Sequence, residues 1–96
     1  MAQKSTNPFW LICEQFGCGD FKRGRRLLAD IADRLRYARS KHKWRFRSQA
    51  YGVNAVLGEA RELEQAVVCE EGPDRVYDES LDTIVTAIRM ANGEWK

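Results

Sequence analysis

The sequence predicts an all-α fold of about four helices. Apolar residues recur at three- and four-residue intervals through most of the chain, Gly- and Pro-containing turns separate the segments so patterned, and no stretch alternates apolar with polar residues as a strand would. At 96 residues the chain is one domain at most. Domains of this size bury only about 60–70% of the surface their unfolded chains expose, which leaves a role for a second subunit in completing the core.

Each helix has its own signals. Asn7-Pro8 reads as an N-cap followed by a first helical proline, and Gly17 as the residue past the end, so Asn7 to Phe16 is a short helix, apolar almost all round. Leu28, Ile31, Leu35 and Ala38 give Arg25 to about Lys41 an amphipathic pattern with a strongly basic outer face. Lys41 to Arg47 breaks that pattern. Ser48 can cap a third helix from Gln49 to about Cys69, whose apolar stripe is Val53, Val56/Leu57, Ala60, Leu63 and Val67, weakened by Gly52 and Gly58. Glu70-Glu71-Gly72-Pro73 is a turn. Pro73/Asp74 opens a fourth helix with Tyr77, Leu81, Ile84, Val85 and Ile88 on one side, ending at Asn92-Gly93.

With 44% hydrophobic and 31% charged residues, the chain has the composition of a folded protein rather than a disordered one. Its longest apolar run, Phe9 to Cys13, falls far short of the roughly 20 residues of a membrane helix. Cys13, Cys18 and Cys69 form no CxxC pair and leave an odd thiol, which suits free thiols in a reducing compartment, so the expected location is cytoplasmic. The net charge is +2, but its signs are segregated. From Asp20 to Arg47 there are eleven Lys/Arg against three Asp; from Glu59 to Asp82 there are nine acids against Arg61 and Arg75. A basic half facing an acidic half either cancels as surface ion pairs or builds a site where metal and phosphate meet.

The acidic half contains two ordered pairs. Residues three apart on a helix lie about 60° apart around the axis, so Glu59/Glu62 and Glu79/Asp82 each present two carboxylates together. A hard divalent cation such as Mg²⁺ takes about six oxygens, commonly a few carboxylates with waters and substrate phosphate oxygens. Four convergent carboxylates meet that demand. Stepping 100° per residue from Glu59 puts Ala55, Ala66 and Cys69 on its face, leaving space for a ligand. The same stepping groups Glu79 and Asp82 with Arg75, Thr86 and Arg89, opposite the apolar stripe, where an ordinary solvated face is the plain expectation.

Glu59-x-x-Glu62, a gap of sixteen residues and Glu79-x-x-Asp82 together resemble the ExxE…ExxD signature of the MazG-like, all-α nucleotide pyrophosphohydrolases. IADRLRYARSKH (Ile31 to His42), YGVNAVLGEARELEQAV (Tyr51 to Val67) and VYDESLDTIVTAIRM (Val76 to Met90) resemble successive blocks of small members of that family. The resemblance covers about Leu27 to Met90 and implies a MazG-like domain over residues 27–96, with residues 1–26 as an N-terminal extension carrying a short apolar helix. It implies a helical bundle completed as a homodimer or homotetramer. It also implies hydrolysis of a (d)NTP to (d)NMP and pyrophosphate, with Glu59, Glu62, Glu79 and Asp82 as Mg²⁺ ligands and catalytic groups and Mn²⁺ as the alternative ion. The family's first block usually has two adjacent glutamates; here the position before Glu59 is Gly58, which bears on whether one ion or two is held.

Arg89 follows Asp82 by seven residues in nearly the same direction, within reach of phosphates held by the metal or of an ion pair to Glu79 or Asp82. Lys41, His42, Lys43 and Trp44 fall in the break between helices, where the resemblance implies nucleotide contacts; a cation cluster beside an indole suits a triphosphate and a stacked base. Two other readings use the same residues. The basic 22–47 segment, with Trp44 and Phe46 interleaved, suits a nucleic-acid-binding module, although the acidic half would face the same polyanion. A catalytically idle helical interaction protein is the third. A single histidine and the absence of any nucleophile motif leave zinc-cluster and triad chemistry without support.

Overall fold

The computed structural model describes residues 7–41 and 45–96. These residues form four helices and no strand: α1 (Pro8–Phe16), α2 (Phe21–Lys41), α3 (Gln49–Val68) and α4 (Pro73–Ala91). Among the described residues no helix is long and apolar enough to cross a membrane. The chain divides into two compact units, Met1–Ala32 and Asp33–Lys96, with the boundary inside α2. His42, Lys43 and Trp44, named above as candidate nucleotide contacts, lie outside the described residues.

The first unit is a helical hairpin. Asn7 Oδ1 accepts from the Phe9 amide at 2.8 Å, capping α1 ahead of Pro8. Asp20 Oδ1 accepts from the Arg23 amide at 3.1 Å and starts α2 at Phe21, four residues before the Arg25 that periodicity alone predicts. Between them the chain turns with Cys18 at φ 55° and Gly19 at φ 93°. A Cβ on Gly24 would overlap the Cys13 carbonyl oxygen, so only glycine lets the two backbones approach this closely. Trp10 and Phe21 stack at 4.2 Å, and Cys13 is fully buried.

In the second unit α3 runs antiparallel to α4, joined by a tight turn. The Glu71 amide donates to Ala66 O (3.0 Å) and the Glu70 amide to Val67 O (3.2 Å), the pattern of a Schellman cap, with Glu70 at φ 51° and Gly72 at φ 99°. Ser48 caps the start of α3, its Oγ accepting from the Tyr51 amide at 3.0 Å. The C-terminal part of α2 is tied to α4 and the turn after it by arginine side chains. Arg34 reaches Asp78 and Asp82, and Arg39 reaches Glu94.

Two helices turn differently from the sequence expectation. The stripe expected to bury α3 faces outward in part: Val53, Leu57 and Val67 are 45%, 46% and 57% exposed. Gly52 and Ala66 are its buried residues. A Cβ on Gly52 would overlap Met90 Sδ and press on the Phe46 ring at 3.0 Å. Small residues let the acid-bearing face of α3 approach α4 closely, and that proximity decides the orientation. On α4, Leu81 and Val85 are buried as expected, yet Glu79 and Arg89 are buried too, at 2% exposure each. The polar side of α4 is therefore not a solvated face.

Candidate metal centre

Glu59 from α3 and Glu79 and Asp82 from α4 converge. One carboxylate oxygen of each lies within 4.8 Å of the others. Glu62, exposed and one turn after Glu59, is outside this group of three, but its charge acts on both Glu59 and Glu79 and it lines the same cavity as Glu59 and Asp82. The four acids named from the sequence thus share one place, with three of them gathered most tightly.

Their partners leave oxygens unused. Glu79 Oε1 takes Arg75 Nη2 at 2.7 Å, and Asp82 Oδ1 takes Arg34 Nη1 at 2.6 Å. Glu59 Oε2 and Glu79 Oε2 are buried without a hydrogen-bond partner among the described residues. An orphaned buried polar atom costs about 1–3 kcal/mol, and more when it carries charge. Burial pushes the Glu59 carboxyl up to about 7, and the neighbouring charges of Glu62, Asp82 and Glu79 push the same way. Glu79 is raised as well, because its burial together with Glu62 and Asp82 outweighs the opposing Arg75. A divalent cation reverses this strain by supplying the charge and the acceptor demand that the cluster lacks. The donor set is all oxygen, as Mg²⁺ and Mn²⁺ prefer.

The acids open into a cavity of about 730 Å³. That volume falls within the roughly 300–1,000 Å³ of small-molecule sites. Glu59, Glu62 and Asp82 line it, and so do five cations, Arg34, Lys41, Arg45, Arg47 and Arg89. Tyr37, Phe46 and Tyr51 add aromatic surface, and Lys41 Nζ sits 5.8 Å from the Tyr37 ring centre. Gly58 also lines the cavity; a Cβ there would meet nothing within 4 Å. Of the sequence candidates on described residues, Lys41 and Arg89 reach this cavity alongside the acids.

Arg89 does not pair with Glu79 or Asp82. Its Nε donates to Glu94 Oε1 at 3.0 Å, and the Phe46 ring covers its guanidinium at 4.2 Å. The same Glu94 carboxylate takes Arg39 through Nε and Nη2, the latter at 2.6 Å. Burial alone would raise Glu94, but hydrogen bonds from Arg39 and Arg89 outweigh it and hold the carboxyl below its ordinary value. Arg34 and Glu94 join the site without a motif in the sequence that names them. Gly93 at φ 68° carried a signal for Glu94, since a left-handed glycine past a helix end folds the next residue back over the last turn. Comparison with protein families, with curated proteins and with solved structures finds no match for this chain.

Proposed function

We propose that the chain is a Mg²⁺-dependent nucleoside triphosphate pyrophosphohydrolase of the MazG-like kind, converting a (d)NTP to (d)NMP and pyrophosphate. The observation that carries this reading is the convergence of Glu59, Glu79 and Asp82 with two buried, unpartnered oxygens at the edge of a cation-lined cavity. Glu59, Glu79 and Asp82 would hold Mg²⁺, with Mn²⁺ as the alternative. The bound ion supplies charge for the phosphate oxygens and lowers the pKa of water.

The protein's own groups do the rest. Lys41, Arg45, Arg47 and Arg89 receive the phosphate chain and confine its charge within the cavity. Tyr37 and Tyr51 offer flat surfaces for a base. Glu62, outside the tight group but lining the same cavity as Glu59, is the carboxylate left to accept the proton of the attacking water. Arg34 fixes Asp82 through its Oδ1.

The exposed Val53, Leu57, Val67 and Val68 support the proposed homo-oligomer, since a partner helix laid on α3 would cover them. Nucleic-acid binding gains nothing from this arrangement. Arg34 and Arg39 of the basic helix are engaged by Asp78, Asp82 and Glu94, and Arg45 and Arg47 share a cavity with carboxylates that would repel a polyanion. Phosphorus NMR of a panel of ribo- and deoxyribonucleoside triphosphates incubated with the protein and Mg²⁺ tests the reading. A monophosphate and pyrophosphate signal from at least one member is expected, and their absence across the panel with both Mg²⁺ and Mn²⁺ retires it.

A further inference from the structure

One guanidinium in the cavity is buried and only partly used. Arg89 is 2% exposed and lines the cavity, and its Nη2 has no hydrogen-bond partner among the described residues. Buried donors on charged groups are rarely left in this state without a water, an ion or a ligand to take them. Elsewhere on the group, Nε is bonded to Glu94 and Phe46 covers one guanidinium face.

Glu94 is held from three sides. Its amide donates to the Arg89 carbonyl at 3.1 Å, its own carbonyl accepts from the Phe46 amide at 2.7 Å, and its carboxylate joins Arg39 to Arg89. The two backbone bonds place the residue independently of its side chain. One carboxylate between two guanidiniums leaves the cluster with a net positive charge, and the unpartnered donor lies on Arg89. Arg89 is about two turns, roughly 10 Å, beyond Asp82 along α4, and both residues line the cavity.

We propose that Glu94 is a positioning residue that aims the Arg89 guanidinium, so that its Nη edge forms an oxyanion site for the end of the phosphate chain that leaves as pyrophosphate. The identity of the phosphate carrier rests on the pyrophosphohydrolase reading; the oxyanion site rests on the Arg39–Glu94–Arg89–Phe46 arrangement.

The test is calorimetric binding of inorganic pyrophosphate to the full chain in chelator, without metal or nucleotide. Arg89→Lys weakens binding by about tenfold, the effect of one charge-assisted hydrogen bond. Glu94→Gln removes a negative charge, so charge alone predicts tighter binding; positioning predicts binding weaker by about tenfold, with Glu94→Asp recovering part of the loss. In the wild-type chain, where no variant has to fold, the Arg89 Nε–H resonance shifts on adding pyrophosphate and that of Arg39 shifts less. The proposal is overturned if Glu94→Gln binds as tightly as wild type or more tightly, or if the wild-type Arg89 resonance does not respond. Pyrophosphate binding with this pattern in a chain that cleaves no triphosphate would retire the enzyme reading alone. Turnover with Glu94→Gln indistinguishable from wild type would retire this one alone.

Discussion

The Arg34 guanidinium donates to Asp82 Oδ1 at 2.6 Å and, through its other nitrogen, to Asp78 at 3.2 Å, so α2 holds one of the three converging carboxylates of α3 and α4. The contact orients Asp82 and places a positive charge beside a cation site. Its two effects separate on substitution. Arg34→Met should lower stability by about 0.5–1 kcal/mol, as for a partly exposed pair. The same change should tighten Mn²⁺ binding a few-fold by removing a competing charge. Urea unfolding and a Mn²⁺ titration read the two effects; looser Mn²⁺ binding would mean that orientation outweighs charge.

Glu94 gives a pH dependence of defined sign. Its carboxyl is held below the ordinary value of 4.5, so the stability it contributes is fully present above that value and lost as pH falls through the depressed folded value. At pH 7, Glu94→Gln should cost about 1.5–3 kcal/mol, the loss of a charged hydrogen-bond acceptor. The gap between wild type and variant should close as the pH is lowered from 4.5 toward 2. Denaturant unfolding at a series of pH values measures it, and a gap constant with pH would contradict the assignment.

The two glycines of α3 predict opposite outcomes. A Cβ at Gly58 meets nothing within 4 Å, so Gly58→Ala should stabilise by about 0.5–1 kcal/mol through helix propensity. Gly52→Ala drives a methyl into Met90 and Phe46 and should destabilise by about 1–3 kcal/mol. Thermal denaturation of both variants, side by side, checks the packing of α3 on α4.

These glycines also mark where the sequence was legible. Asn7, Ser48, Pro73 and Gly93 announced the helix ends because capping is local chemistry, and three- and four-residue spacing announced the helices between them. The orientation of α3 was not legible. Periodicity separates a helix into faces but does not say which one a neighbour covers, and a lone chain invites the apolar stripe inward. Here Gly52 and Ala66, with Glu59 between them, turn inward, so the metal candidates are set by a packing choice between small residues and bulky ones. Glu59 and Asp82 could be named from spacing; the pairing of Asp82 with Arg34 spans 48 residues and depends on a tertiary contact, whereas that of Arg89 with Glu94 spans 5 and follows from the chain reversal at Gly93.

The outward stripe of α3 has its own consequence. Leu57→Glu places a charge amid Val53, Val67 and Val68 and should convert the proposed oligomer to monomer with helical content retained. Light scattering after size exclusion reads the mass. A wild-type chain that is already monomeric at high concentration would remove the partner from the account.

The proposed hydrolysis requires that the carboxylates of α3 and α4 hold a divalent cation. Electron paramagnetic resonance of Mn²⁺ titrated into the protein measures this directly. Saturation at one ion per chain, displacement by Mg²⁺, and loss of binding in both Glu79→Gln and Asp82→Asn are the predicted results. Binding that is undetectable, or that survives both substitutions unchanged, would contradict the account.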